Sequence, residues 1–235
     1  MRSVNLIFLC SLLLACQSSN TSLQSDQGTQ LSNEQATCSP NALPSQANQI
    51  LCREGFMVGF NYLNGVADWV SYLLTPSSIA GFSSDASFST DMELPLAAQV
   101  MPDDYQGSGY DRGHLAPAAS MDFSTRSNQQ SFLMSNIAPQ LADFNRQGWA
   151  DLEAWERRCV QQLGSLQVIT GPLYQTQDNT WIKNKVRVPS AYFKAYHSTH
   201  VAGAAMAFII PHQNFAFSDI AQHQVSLAQL ERESG

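Results

Sequence analysis

The feature that most constrains this chain is a set of five short apolar blocks, GFMVGFNY, GVADWVSYLLT, LQVITGPLY, SAYFKAYHS and GAAMAFIIPH, each bounded by turn residues. Runs this short, rich in β-branched and aromatic side chains, suit strands. The first two are joined through Asn64-Gly65, a dipeptide that tolerates left-handed backbone and so predicts a hairpin. Between the second and third blocks lies the clearest helix, QGWADLEAWERRCVQQLG, where Trp149, Leu152, Cys159 and Leu163 recur at helical spacing and Gly164 offers a stop. Pro76 to Gln106 reads as a long, serine-rich loop. The mixture predicts an α+β or mixed α/β domain with a central, largely antiparallel sheet flanked by helices, and no internal repeat is visible.

At 235 residues the chain has room for one substantial domain and a tail. It opens with MRSVNLIFLCSLLLACQ, one positive charge followed by an apolar run from Leu6 to Ala15. That run is too short to span a bilayer and fits an export signal. Leu13-Leu14-Ala15-Cys16 resembles the bacterial lipobox, which implies a signal over residues 1–15, lipidation of Cys16 and a membrane anchor there. Gln17 in place of aspartate then favours the outer membrane, with a plain secreted protein as the alternative. Residues 16–37 are polar, nearly free of aliphatics, and read as a flexible tether. The globular part begins near Cys38 and runs to Gly235. VSLAQLERESG looks like a helix entered through Ser226, and its arrival at the last residue suggests a domain truncated at its carboxy end. Of the cysteines left after export, Cys38 and Cys52 could close a local loop with Cys159 as a buried thiol, or none could be bridged.

Net charge is −7, which argues against a polyanionic partner until its distribution is examined. Residues 1–110 carry two basic and nine acidic side chains, whereas residues 111–235 carry ten of each. The later part can therefore present a local basic surface, with Lys183, Lys185, Arg187 and Lys194 in WIKNKVRVPSAYFK as candidates to bind substrate. An ordinary lysine-protected strand edge explains the same residues equally well.

The densest chemistry is in GYDRGHLAPAAS, where Asp111, Arg112 and His114 surround Gly113. By itself this could be a surface turn, with Gly113 supplying unusual backbone angles and Asp111 pairing with Arg112. Downstream, SNIAPQ begins at Ser135 and contains Asn136, and Asn145, Trp149, Glu153 and Arg157 follow at intervals of four along one side of the helix. A routine amphipathic helix with a Glu153–Arg157 pair would give the same spacing.

DRGHLAPAAS, SNIAPQ, NRQGWADLEAWER and TGPLY…VPSAYFK, in that order, resemble the DNA/RNA non-specific endonuclease family. The resemblance covers most of the chain from about Cys38. It implies the ββα-metal (His-Me finger) nuclease fold, in which a β-hairpin and a helix hold one divalent cation. It further implies His114 as general base, Asn145 as the direct metal ligand and Glu153 as the residue orienting water on that ion. Arg112 and Arg157 would meet phosphate, and Asn136 would support the site. Mg²⁺, with Mn²⁺ as a substitute, suits a single amide ligand, because a hard cation keeps most of its water. The implied substrates are DNA and RNA, cut without sequence preference to 5'-phosphate ends, and a homodimer stays open.

One position departs from the pattern. Aligning SSDASFSTDMEL through Phe88, Thr90 and Asp91 puts Ala86 where several family members carry an arginine. That departure motivates a second reading, a catalytically impaired surface lipoprotein that binds nucleic acid or an envelope partner. His197 and His200 in HSTH have no third ligand at zinc spacing, so they and His212 and His223 read as surface or core residues. Trp149, Trp155, Phe193 and Tyr196 read as core rather than as stacking platforms.

Overall fold

The computed structural model describes residues 47–79, 81, 85–198 and 204–235. The export signal, Cys16, the tether, Cys38 and His200 lie outside the described residues. A seven-stranded, wholly antiparallel sheet organises the rest. In spatial order it comprises β1 (Gln49–Arg53), β2 (Phe56–Asn61), β3 (Val66–Leu74), β6 (Leu166–Leu173), β9 (Ala191–Ser198), β10 (Ala205–Pro211) and β11 (Gln224–Val225). Two small hairpins stand apart from it, β4 (Asp111–His114) with β5 (Ile137–Gln140), and β7 (Trp181–Ile182) with β8 (Val186–Arg187).

All five apolar blocks form strands of the large sheet, as their composition predicts. The β2–β3 hairpin turns through four residues, not the two that Asn64-Gly65 suggests. The Asn61 side chain accepts from the amides of Leu63 and Asn64, and Gly65, at φ +64°, donates back to Asn61 O. A Cβ on Gly65 would stand 2.2 Å from Lys185 O, so the β7–β8 loop also requires glycine there. The short helix α1 (Thr125–Ser131) has no apolar periodicity and is not apparent in the sequence. It starts because Ser124 Oγ accepts from Ser127 N at 3.0 Å.

The long helix comes in two pieces, a π-helical stretch Phe144–Trp149 and then α2 (Ala150–Leu163). It ends at Gly164, φ +78°, whose N–H returns to Val160 O. α2 lies against one face of the sheet, where Leu152, Trp155, Cys159 and Val160 join the main core. The opposite face carries a smaller apolar cluster containing Trp69 and Phe193, capped by Leu230 of α3 (Leu227–Ser234). Trp149, Trp155, Phe193 and Tyr196 are all buried, as expected for core residues. Cys52 and Cys159 are both disulfide-bonded, so neither is the free thiol that the sequence allowed.

Lys194 overturns its assignment to a basic surface. It faces inward from β9, fully buried, and its ammonium donates to Glu156 Oε1 of α2 at 2.6 Å and to the Tyr72 hydroxyl of β3 at 3.2 Å. Glu156 also accepts from Tyr72 at 2.9 Å and from Tyr196 at 2.7 Å, and the Lys194 ammonium sits 4.7 Å from the Trp149 ring centre. Strand composition places this lysine in the sheet, but only its neighbours show which face it occupies. Removing one member of such a buried pair strands the other charge. Lys194→Met should therefore destabilise the fold by about 3–5 kcal/mol in urea unfolding, and Lys194→Met with Glu156→Leu should recover a large part of that loss.

Candidate active site

β4 carries the motif that the sequence presents as a turn. Asp111 to His114 are extended and pair with Gln140 to Ile137 of β5, so His114 is held by a strand end. Gly113 is not there for unusual backbone angles, since its φ is not positive. It is there for clearance: a Cβ at this position would lie 2.1 Å from Gln140 Oε1, because the fully buried Gln140 side chain crosses directly over it.

Just past the strand, Asn136 locks the chain that follows His114. Its Oδ1 accepts from Ala116 N at 2.9 Å, and its Nδ2 donates to Ala116 O at 3.0 Å and Ser131 O at 2.8 Å. Leu115 N adds a bond to Asn136 O. Asn136 is fully buried, so it supports the site without facing it.

His114 and Asn145 line one cleft of about 610 Å³, together with Arg112, Tyr110 and Phe88. His114 as a residue is only partly buried, yet its Nε2 is sealed from solvent and makes no hydrogen bond among the described residues. Its ring packs against Phe132 at 4.7 Å and Phe88 at 5.4 Å between centroids. This apolar burial pushes its pKa down to about 4, leaving a neutral imidazole at ordinary pH. Phe88 also lies under the Arg112 guanidinium, 4.4 Å from its ring centre, so one aromatic ring orders both the base and the cation.

Asn145 sits in the π-helical stretch, facing β4. Its Nδ2 donates to Asp111 Oδ2 at 3.0 Å, which fixes the amide orientation because a carboxylate can only accept. Asn145 Oδ1 is thereby turned away from Asp111, and no hydrogen bond engages it among the described residues. Arg146 grips the same Asp111 carboxylate through two bonds, at 2.8 and 2.7 Å. Partial burial pushes Asp111 up, but bonds from Arg146 and Asn145 outweigh it and hold the carboxyl below its usual range. Asp111 thus pairs with Arg146 rather than with Arg112.

Glu153 and Arg157 continue along α2 and are not among the residues lining the His114 cleft. Burial pushes the Glu153 carboxyl up to about 7 against the opposing influence of Lys194, while Glu156 pushes it further up and Arg157 pulls it down. The Trp149 indole also faces it, though its N–H finds no partner at hydrogen-bond geometry. The Arg157 guanidinium reaches Ser120 Oγ, the last residue of the His114 motif, at 3.4 Å. Lys183, Lys185 and Arg187 stand outside the cleft with their heads committed. Lys183 donates to Asp103 O at 2.6 Å, Lys185 pairs with Asp104 at 2.9 Å, and Arg187 bonds the carbonyls of Gln175 and Asp178. Their hairpin braces the Asp103–Tyr105 wall of the cleft. Ala86 lines a second cavity, about 360 Å³, shared with Arg126 and Gln129. Phe88 and Asp111 escape the sequence analysis as site residues. Asp111 is adjacent to Arg112 in the motif, and nothing local reveals that Asn145, 34 residues away, is its partner.

A histidine at a hairpin end and an asparagine on a helix thus line one cleft, the arrangement that the resemblance implies. The model of the DNA/RNA non-specific endonuclease family matches residues 33–235. The chain belongs to this family. It is 31% identical over 199 residues to a nuclease of Nostoc sp. (strain PCC 7120), covering 80% of this chain and 72% of that protein. A nuclease of Syncephalastrum racemosum is 33% identical over 216 residues, covering 82% and 68%. EndoG, solved as the EndoG/EndoGI complex, superposes with a TM-score of 0.74 at 27% identity, covering 82% of this chain and 86% of its own. The fold is thus that of an α+β nuclease, and the protein is a hydrolytic enzyme of the non-specific nuclease kind.

The close approach of Gly113 and Gln140 yields a double-mutant test. Gly113→Ala should destabilise the protein by roughly 1–3 kcal/mol through overpacking, and Gln140→Ala in the same chain should remove most of the clash, both read by thermal or urea unfolding.

Proposed function

We propose that this nuclease cleaves DNA and RNA by metal-assisted hydrolysis of the phosphodiester bond without sequence preference, leaving 5'-phosphate ends. The observation carrying the proposal is the shared cleft, lined by a neutral imidazole at one strand end and by an asparagine on the facing helix whose amide oxygen is aimed away from its anchor. Among the described residues there is no cluster of three or more His, Cys, Asp or Glu, so a site for a soft or tightly caged metal is not at hand. One oxygen ligand beside open space suits Mg²⁺ or Mn²⁺, and Asn145 Oδ1 would hold the ion. Bound there, the cation would offset charge that builds on the phosphoryl and departing oxygens.

His114 takes the proton from the attacking water. Its neutral state is secured by burial, and Phe88 and Phe132 restrict the ring, so that the edge of the imidazole lining the cleft is already in place. Asn136 fixes the backbone immediately after it. Arg112, steadied on Phe88, offers a guanidinium to the phosphate at the cleft edge. Asp111 acts through Asn145 by holding its amide. Glu153 supplies a partly buried carboxylate, and Arg157 a second guanidinium, further along α2. We extend the proposal to an outer-membrane lipoprotein acylated at Cys16, which labelled palmitate incorporation in wild type, and none in Cys16→Ala, would support.

Plasmid DNA and RNA incubated with protein in Mg²⁺ should be degraded, EDTA should stop the reaction, and His114→Ala should lower the rate by about 10²-fold or more. Wild-type protein as inert as that variant would overturn the catalytic assignment. The pH profile separates the two groups. Activity needs Glu153 charged and His114 neutral, so kcat/KM should rise with pH through about 7, the Glu153 value. In Glu153→Gln the remaining, slower activity should persist to lower pH, because His114 titrates only near 4.

A further inference from the structure

His212 is a partly buried histidine that the catalytic reading leaves unused. It follows β10 and spans two parts of the molecule. Nδ1 lies 2.9 Å from Pro189 O and must donate to it, while Nε2 accepts from Leu141 N at 2.8 Å. That pair of roles fixes one neutral tautomer. Burial pushes its pKa down, against the bond to Pro189, which is consistent with that state.

Its position relative to the cleft is what gives this bridge a role. Leu141 is the first residue after β5, and Leu141 O accepts from Asn145 N at 2.9 Å, so the first turn of the Asn145 segment hangs from the residue that His212 holds. The imidazole also stacks on Tyr110 at 6.0 Å and meets Phe144 edge-on at 5.3 Å. Tyr110 precedes Asp111, and Phe144 precedes Asn145. The ring therefore touches the sequence neighbour of each member of the Asp111–Asn145 hydrogen bond. Tyr192 completes the grip, with its hydroxyl donating to Pro139 O and its ring edge-on to His212 at 5.2 Å. Tyr192 of the main sheet and His212 just past it thus hold the chain on both sides of Gln140.

We infer that His212, assisted by Tyr192, is a positioning residue that sets the place and orientation of the Asn145 amide, and through it the affinity of the cleft for a divalent cation. The inference rests on the assignment of that cation to Asn145. Its physical basis is that partners which orient a ligand govern metal affinity nearly as strongly as the ligand does. Packing alone would not require a bare Nε2 facing Leu141 N–H.

Mn²⁺ binding to the nucleic-acid-free protein, followed by electron paramagnetic resonance, tests it without reference to catalysis. His212→Phe keeps a ring but loses both hydrogen bonds. Gln can place its carbonyl oxygen where Nε2 lies, whereas Asn reaches only the Nδ1 position. His212→Phe and His212→Asn should each weaken Mn²⁺ binding by about tenfold or more, while His212→Gln should stay within about threefold of wild type. Tyr192→Phe should weaken binding in the same direction. Near-UV circular dichroism checks that each variant is folded, and the Gln–Asn contrast decides the matter if the Phe variant is not. Equal Mn²⁺ affinity in wild type and the Phe variant, or in Gln and Asn, would overturn the positioning role. Failure of the underlying metal assignment looks different: wild type would bind no Mn²⁺, or Asn145→Ala would bind it as well as wild type, and the inference would fall with it.

Discussion

A lysine with no access to water fastens the helix of this protein to its sheet. Lys194 on β9, Glu156 on α2, Tyr72 on β3 and Tyr196 on β9 satisfy one another inside the main core. Burying two charges is costly, and the arrangement holds because each carboxylate oxygen and the ammonium find close partners. The consequence reaches the active site. Glu156 lies one turn from Glu153, so the network fixes the rotation of α2 and with it the placement of Glu153 and Arg157. Lys194 also acts on Glu153 electrostatically, opposing the burial that would otherwise neutralise it further.

The cleft depends on the same economy of partners at the other end of the helix. Among the described residues, His114 has aromatic neighbours and no hydrogen bond at Nε2, while Asn145 has one anchor, Asp111, that settles which atom faces outward. Arg146 shares that anchor and keeps it ionised. Lys183 and Lys185, which would serve as phosphate contacts on a free surface, are drawn instead to Asp103 and Asp104. That places the exposed guanidinium of Arg112, steadied by Phe88, as the cation of the cleft.

Much of this was legible in advance where local pattern and tertiary contact agree. The five apolar blocks, the amphipathic helix with its glycine stop, and the motif around His114 with Asn145 downstream all appear where the residues suggest. Departures share a cause: they concern what a side chain meets across the fold. Asp111 to His114 read as a turn because Gly113 is ambiguous without Gln140 over it. α1 escaped notice because a serine cap, not an apolar stripe, starts it.

The sequence by itself determined the long strands of the sheet, the long helix and the family, because periodicity and motif order are properties of neighbouring residues. Only the tertiary structure decided that Lys194 is interior, that Gly113 serves clearance, that Asp111 orients Asn145, and that His212 holds the segment carrying it. Those facts depend on burial and hydrogen-bond pairing between residues tens of positions apart, and a linear order of side chains contains neither quantity.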